Sequence, residues 1–200
     1  METIIIATRN KNKIREMEAI TEKLGMGLLS LAEAGIEAAE VVEDGKTFEE
    51  NSLKKAREIM KLCGKPAMAD DSGVAVDALD GAPGVDSAIY AGDERDDKKN
   101  RDKLLAALLG LPLEKRTAKF VSVISLVYPD GREFTARGES EGHIIHEERG
   151  ANGFGYDSLF VPLGYEKTYA ELPAEEKNEI SHRSRAIKLM KAELERQNVR

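Results

Sequence analysis

The sequence has only one cysteine, Cys63, among its 200 residues. One thiol forms no internal disulfide and supplies no cysteine cluster for a metal, which predicts a reducing, cytoplasmic setting. Long apolar runs are missing too. The run at the N-terminus, in METIIIATRN, spans about five residues, too few for a signal-peptide core or for the roughly 20 residues that cross a bilayer. Basic charge is in deficit: the formal net charge is −7. Nucleic acid and anionic membranes select broadly basic surfaces, so neither is expected as a partner, and any anionic ligand must be met by a local group of cations. No internal repeat, low-complexity tract or Pro/Gly/Ser-rich linker divides the chain. Two phosphate-binding signatures are also absent, the G-x-x-x-x-G-K-[ST] of a P-loop and the G-x-G-x-x-G of a dinucleotide fold.

What is present suits one folding unit over 1–200, a single domain or a domain of two lobes, with 41% hydrophobic and 34% charged residues. Residues 3–7 are a short β-branched strand. After a polar loop, Ile14, Met17, Ile20 and Leu24 mark one face of a helix. Thr47 and Glu50 have the spacing of a capping box. They open a second helix whose face carries Phe48, Ser52, Ala56, Ile59 and Cys63, stopped by Gly64 and Pro66. Residues 66–69 and 74–76 read as strand pieces on either side of Asp70 and Asp71. Residues 97–109 read as a helix, 117–128 and 132–139 as a hairpin about Pro129-Asp130-Gly131, 159–161 as a strand, and 174 to about 197 as helical. Alternating strands and helices with one antiparallel hairpin predict an α/β fold built on a mixed sheet.

Several stretches have the composition of a site. Thr8, Arg9, Asn10, Lys11, Asn12 and Lys13 lie after a strand and before a helix. Amides at the helix N-terminus, polar side chains and three cations would meet an anion there, although a solvated basic turn with an Asn cap has the same composition. Glu40, Glu43 and Asp44 precede the second helix, which carries Lys54 and Lys55. They suit either Mg²⁺, which takes one or two carboxylates and keeps waters and phosphate oxygens, or an acidic loop facing a helix dipole. Asp70 and Asp71 at a strand end repel unless a cation or a shared proton relieves them. Gly153, Phe154, Gly155, Tyr156 and Asp157 combine backbone freedom, aromatic faces and an acceptor, fit for stacking a base or for a plain turn. Lys177, Ser181, His182 and Arg183 bring donors to the start of the last helix, and His143 and His146 suggest no role.

A phosphate-type loop, scattered carboxylates, an aromatic-glycine loop and a cationic helix start together suggest a nucleoside triphosphate site. The chain resembles the inosine triphosphate pyrophosphatases, also called non-standard purine NTP or dITP/XTP pyrophosphatases. The resemblance rests on A-T-R-N-K-N-K at 7–13, T-F-E-E-N at 47–51, A-D-D-S-G at 69–73, G-A-P-G at 81–84, G-F-G-Y-D at 153–157 and E-K-N-E-I-S-H-R at 176–183. It implies a long mixed sheet with flanking helices, two lobes around a central cleft, and a homodimer. It also implies Mg²⁺-dependent hydrolysis of ITP, dITP and XTP to the monophosphate and pyrophosphate, which would clear deaminated purines from the nucleotide pool. By position, Thr8, Arg9, Asn10, Lys11, Asn12, Lys13 and Lys55 would meet phosphates and Glu43 and Asp71 would hold Mg²⁺. Asp71 would also accept the proton of water, with Asp70 in support and Ser72 touching substrate. Phe154, Gly155, Tyr156, Asp157, Lys177, His182 and Arg183 would bind the base and sugar. Asp86 and Ile89 stand where the family pattern has an aromatic and an Arg, and Ser158-Leu159 stands where Pro-Ile is common.

Overall fold

A computed structural model of the chain describes residues 3–37 and 39–198. Its six-stranded sheet has the order β2-β1-β3-β4-β5-β6, with β1 Ile4–Ile6, β2 Leu28–Ser30, β3 Ala67–Val76, β4 Thr117–Val127, β5 Glu133–Ile144 and β6 Phe160–Pro162. β1 pairs in parallel with β2 and with β3, and β5 pairs antiparallel with β6, so the sheet is mixed. The helices are α1 Lys11–Lys23, α2 Phe48–Cys63, α3 Asp97–Ala107, α4 Ala174–Ile180 and α5 His182–Asn198. No helix among the described residues is long and apolar enough to cross a membrane.

The described residues form two compact units. The first draws on Met1–Asp71, Ser122–Gly138 and Arg183–Arg200, the second on Ser72–Val121 and Glu139–His182. In the first unit, strand alternation sorts the apolar residues onto two faces. Ile4, Ile6 and Met68 pack with Met17 and Ile20 of α1 and with Ile187 and Met190 of α5. Ile5, Ala67 and Ala69 point the other way, onto Ala56 and Ile59 of α2. A strand covered on both faces needs an unbroken apolar run, which is why β1 is three isoleucines. Each such side chain, fully buried, contributes about 1.5–3 kcal/mol. The core of the second unit gathers Val74 and Val76 of β3, Leu104 and Leu108, Phe120 of β4, Phe160, Tyr156 and Tyr169.

The caps follow the sequence. Thr47 and Glu50 form the reciprocal capping box of α2, and Gly64 closes it in the left-handed region. Asn10 caps α1 and Asp96 caps α3. Four elements differ from the sequence reading. β3 is one ten-residue strand through Asp70 and Asp71 rather than two pieces around them, because both carboxylates find partners inside the protein. β5 continues to Ile144, five residues beyond the expected end, where it pairs with β6. β2 was unforeseen: its three residues are only half-buried, and register with β1 alone makes them a strand. The helical C-terminal stretch breaks at Ser181, which is extended, into α4 and α5.

Candidate active site

The alternation that sorts Met68 from Ala69 also separates the two carboxylates. Asp70 shares a face with Met68 and turns toward α1 and α5; Asp71 shares a face with Ala69 and turns toward α2. Asp70 is fully buried and has cationic partners from both helices. Lys13 Nζ lies 2.7 Å from Oδ2, Arg183 Nη2 lies 3.3 Å from the same oxygen, and Ser122 Oγ donates to Oδ1 at 2.6 Å. Arg183 also pairs with Glu16 of α1. Burial alone would raise the Asp70 carboxyl, but Arg183 and Lys13 hold it well below the usual carboxylate range.

Asp71 has a different environment. Lys55 of α2, its side chain only 9% exposed, stands 3.5 Å from Asp71 Oδ1 and 2.9 Å from Glu43 Oε2, and donates to the carbonyl of Asp70 at 2.8 Å. One lysine therefore ties the two carboxylates expected to hold a metal. Burial disfavours the lysine's charge, yet Asp71 and Glu43 raise its pKa overall. Burial pushes the Asp71 carboxyl up, Lys55 and Lys13 pull it down, and burial prevails. Asp71 Oδ2 is buried with no hydrogen-bond partner in the protein. A buried carboxylate oxygen left open beside a second carboxylate fits a hard cation or a bound water. Among the described residues no three His, Cys, Asp or Glu side chains gather into a complete metal cage.

The loop before α1 is more internally committed than its composition suggests. Asn10 Oδ1 accepts from the amides of Asn12 at 3.0 Å and Lys13 at 3.2 Å, so two of the helix N-terminal donors expected to meet phosphate are capped by the protein itself. Thr8 Oγ1 accepts from the amide of Asn10 at 3.2 Å, and Arg9 makes an exposed pair with Glu40. Lys11 is exposed; Asn12 is half-buried. Lys13 extends to Asp70 with its side chain 15% exposed.

The second unit assembles the remaining motifs. Gly73 is required because a Cβ there would lie 2.3 Å from the carbonyl of Gly84 and from Ser87 Oγ. Ser87 Oγ accepts from the amide of Val74 at 3.0 Å and donates to the carbonyl of Gly84 at 2.6 Å; Tyr156 Oη donates to the carbonyl of Ser87 at 2.8 Å. Ser72 is half-buried at the start of this stretch, while Asp86 and Ile89 sit on the exposed side of the 3-10 helix Gly84–Ile89. Tyr156 is buried in the core, which raises its phenol pKa, and Phe154 is half-buried. Asp157 turns inward as well. Its Oδ2 accepts from the amide of Phe154 at 2.9 Å and from Lys177 Nζ at 2.5 Å, with Lys177 Nζ 5.2 Å from the centre of the Phe154 ring. His182 stacks on Phe120 with ring centres 4.8 Å apart and planes 13° apart.

Lys177 and His182 thus lie in the second unit, while Arg183 belongs to the first and is 1% exposed on its side chain. A residue at the start of α5 faces either the Phe120 cluster or Asp70 according to its helical position, and Arg183 faces Asp70.

The family model that matches residues 4–193 is that of the Ham1 family. The chain belongs to the Ham1 family. It is 50% identical over 194 residues to a dITP/XTP pyrophosphatase of Geobacter sulfurreducens, covering 97% of each chain. To a dITP/XTP pyrophosphatase of Bacillus subtilis it is 45% identical over 195 residues, covering 98% of each. Among solved structures, the Ham1 protein of Staphylococcus aureus superposes with a TM-score of 0.86 at 40% identity, covering 98% of this chain and all of that one. The mixed sheet with flanking helices is therefore that of other Ham1 proteins.

Several residues that contact the candidate residues were not singled out in the sequence: in the first unit Glu16 and Ser122, and in the second Ser87 and Phe120. Ser122 donates to Asp70, and Glu16 pairs with Arg183, the cation that faces that carboxylate. Glu16 lies one helical turn after Lys13, so the i, i+3 spacing on α1 is the single signal that could have linked it to the loop.

Proposed function

We propose that the chain is a nucleoside triphosphate pyrophosphatase that hydrolyses non-standard purine triphosphates, ITP, dITP and XTP, to the monophosphate and pyrophosphate. The observation that carries this reading is the opposite treatment of two adjacent carboxylates. Asp70 is neutralised by Lys13 and Arg183, whereas Asp71 is buried, raised in pKa and open at Oδ2 beside Lys55. Environments that push neighbouring carboxyls apart assign them different tasks. Asp71 is the proton acceptor for the attacking water, and Asp70 fixes the cation next to it. Lys13 and Lys55 neutralise phosphate oxygens, the main demand of phosphoryl chemistry, with Thr8, Arg9, Asn10, Lys11 and Asn12 shaping the loop. Glu43 and Asp71 would hold Mg²⁺, which supplies charge neutralisation on phosphate and a lowered pKa for water.

The base is assigned to the G-F-G-Y-D loop. Phe154 supplies the stacking face, Gly155 and Asp157 the loop shape, and Lys177 and His182 the donors toward the carbonyl that hypoxanthine and xanthine carry at C6, where adenine carries an amine. Ser72 touches the substrate, and Arg183 acts through Asp70 rather than on the base. The chain works as one pyrophosphatase domain over 1–200, in the cytoplasm, as a homodimer, and its role is to remove deaminated purines before a polymerase uses them. The test is competition. Equal ITP, XTP, dITP, ATP and GTP are offered with Mg²⁺ and the survivors are quantified by chromatography. Loss of the first three with ATP and GTP spared supports the reading; ATP or GTP lost at the same rate overturns it.

A further inference from the structure

The apex of the G-F-G-Y-D loop is held from outside by one helix. Asp97 Oδ2 accepts from the amide of Gly155 at 2.8 Å, and Arg101 Nη1 donates to the carbonyl of the same Gly155 at 2.8 Å. Asp97 and Arg101 are four residues apart on α3, so they rise from the same face. Both backbone groups of the residue after Phe154 thus end on charged side chains, where a loop apex ordinarily meets water. Gly155 sits at φ +59°, so the peptides on either side take a fixed course that the two contacts hold.

The helix that makes this contact is itself anchored. Leu104 and Leu108 are buried in the core. Asn100, also buried, accepts from the amide of Ala91 at 2.7 Å and donates to the carbonyl of Ala88 at 3.0 Å. The buried guanidinium of Arg116 donates to the carbonyl of Leu108 at 3.1 Å. A second carboxylate extends the clamp: Glu148 Oε2 lies 2.9 Å from Arg101 Nε and accepts from Ser158 Oγ at 3.0 Å. Ser158 occupies the position where the family pattern favours proline, and its hydroxyl ties the far end of the loop to the clamp.

We propose that Asp97 and Arg101 are positioning residues that fix the loop whose Asp157 holds both the Phe154 amide and the Lys177 ammonium, and so set the stacking of the purine and the discrimination between ITP and ATP. The inference rests on the reading that this loop meets the base. Phe154 N donates to Asp157 Oδ2 and Asp157 N to the carbonyl of Phe154 at 3.2 Å, so the turn is closed on itself; buried Tyr156 and Asp157 hold its base, and the apex at Gly155 rests on α3. The two contacts from α3 order that apex. Ordering the loop before substrate arrives removes that cost from binding, and the effect falls on recognition rather than on the bond-breaking step.

The experiment uses the full chain and the variants Asp97→Ala, Arg101→Ala and Arg101→Lys. Lys98→Ala serves as a control, since Lys98 pairs with Asp102 on the exposed side of the same helix. In the alanine variants KM for ITP is expected to rise about tenfold with kcat within about twofold, and the ITP-to-ATP preference to fall by a similar factor. Amide exchange at Phe154 and Gly155 is expected to quicken at least about tenfold. Arg101→Lys keeps one donor and should recover part of each effect; Lys98→Ala should change none. Faster exchange with KM and preference unchanged overturns the role in selectivity, and unchanged exchange overturns the clamp. A wild-type protein that fails to turn over ITP overturns the functional reading and the selectivity role with it, while the exchange data still decide whether the clamp exists. Should an alanine variant melt early, Asp97→Asn and Arg101→Lys carry the same comparison.

Discussion

Replacing Asp70 by Asn and, separately, Asp71 by Asn is expected to give opposite results from adjacent positions. In Asp70→Asn the amide fills the same space and keeps a partner in Ser122, but Arg183 and Lys13 lose their shared countercharge. Removing one member of a buried ion pair costs about 3–5 kcal/mol. The lower end applies here, because Arg183 keeps Glu16 and Lys13 is partly exposed. About 3 kcal/mol corresponds to a fall in Tm of about 6–12 °C in a chain of this size. In Asp71→Asn the change is the reverse. The folded-state pKa of Asp71 is raised, so its ionised form disfavours folding at neutral pH, and Lys55 keeps Glu43 and the carbonyl of Asp70. That variant should match or exceed the wild type in stability while losing turnover.

Urea denaturation at pH 7, with activity measured alongside, reads both variants. A further check comes from acid. The folded-state pKa of Asp70 lies well below its ordinary 3.8, so its contribution is present above about pH 4 and lost as pH falls through the folded value. Asp70→Asn should lose less stability than the wild type over that acid window. A loss under about 1 kcal/mol for Asp70→Asn, or a large loss for Asp71→Asn, would refute the division of labour between the two carboxylates.

Two other substitutions follow from the same geometry. Lys55→Met leaves Glu43 and Asp71 without their common cation; it should cost about 3–5 kcal/mol, and added Mg²⁺ should raise Tm more in the variant than in the wild type. A smaller gain in the variant would contradict the placing of the metal. Gly153→Ala puts a Cβ 2.1 Å from Asp157 Oδ2 at φ +74°, at a cost of about 1–3 kcal/mol; KM for ITP should rise while kcat changes little, and an unchanged KM would remove the loop from base recognition.

How much of this was legible in the sequence depended on whether a signal was local. Caps were readable because they are set by spacing: Thr47 and Glu50 form their box, and Gly64 takes the left-handed turn that ends α2. β1 and the hairpin were readable from β-branched runs and the turn at 129–131. β2 was not, since three half-buried residues carry no pattern apart from their neighbour. The run from Asp70 to Gly73 looked like a strand end because charge interrupted the apolar residues. The strand continues because Lys13, Arg183, Ser122 and Lys55 come from four distant segments to neutralise or hydrogen-bond it, and no local window contains them. The same limit hid Asp97 and Arg101. Their i, i+4 spacing is ordinary on a charged helix, and only the fold brings Gly155 between them. Composition also leaves direction open: core packing and the Lys177 pair turn Tyr156 and Asp157 inward, which no local pattern reveals.

The central claim, that the chain cleaves a purine triphosphate between its α- and β-phosphates, is tested most directly by following ITP with Mg²⁺ by phosphorus NMR and counting products. One pyrophosphate is expected for every inosine monophosphate, with no diphosphate intermediate and no orthophosphate, and no turnover by Asp71→Asn under the same conditions. Release of orthophosphate with inosine diphosphate, or undiminished turnover by Asp71→Asn, would contradict it.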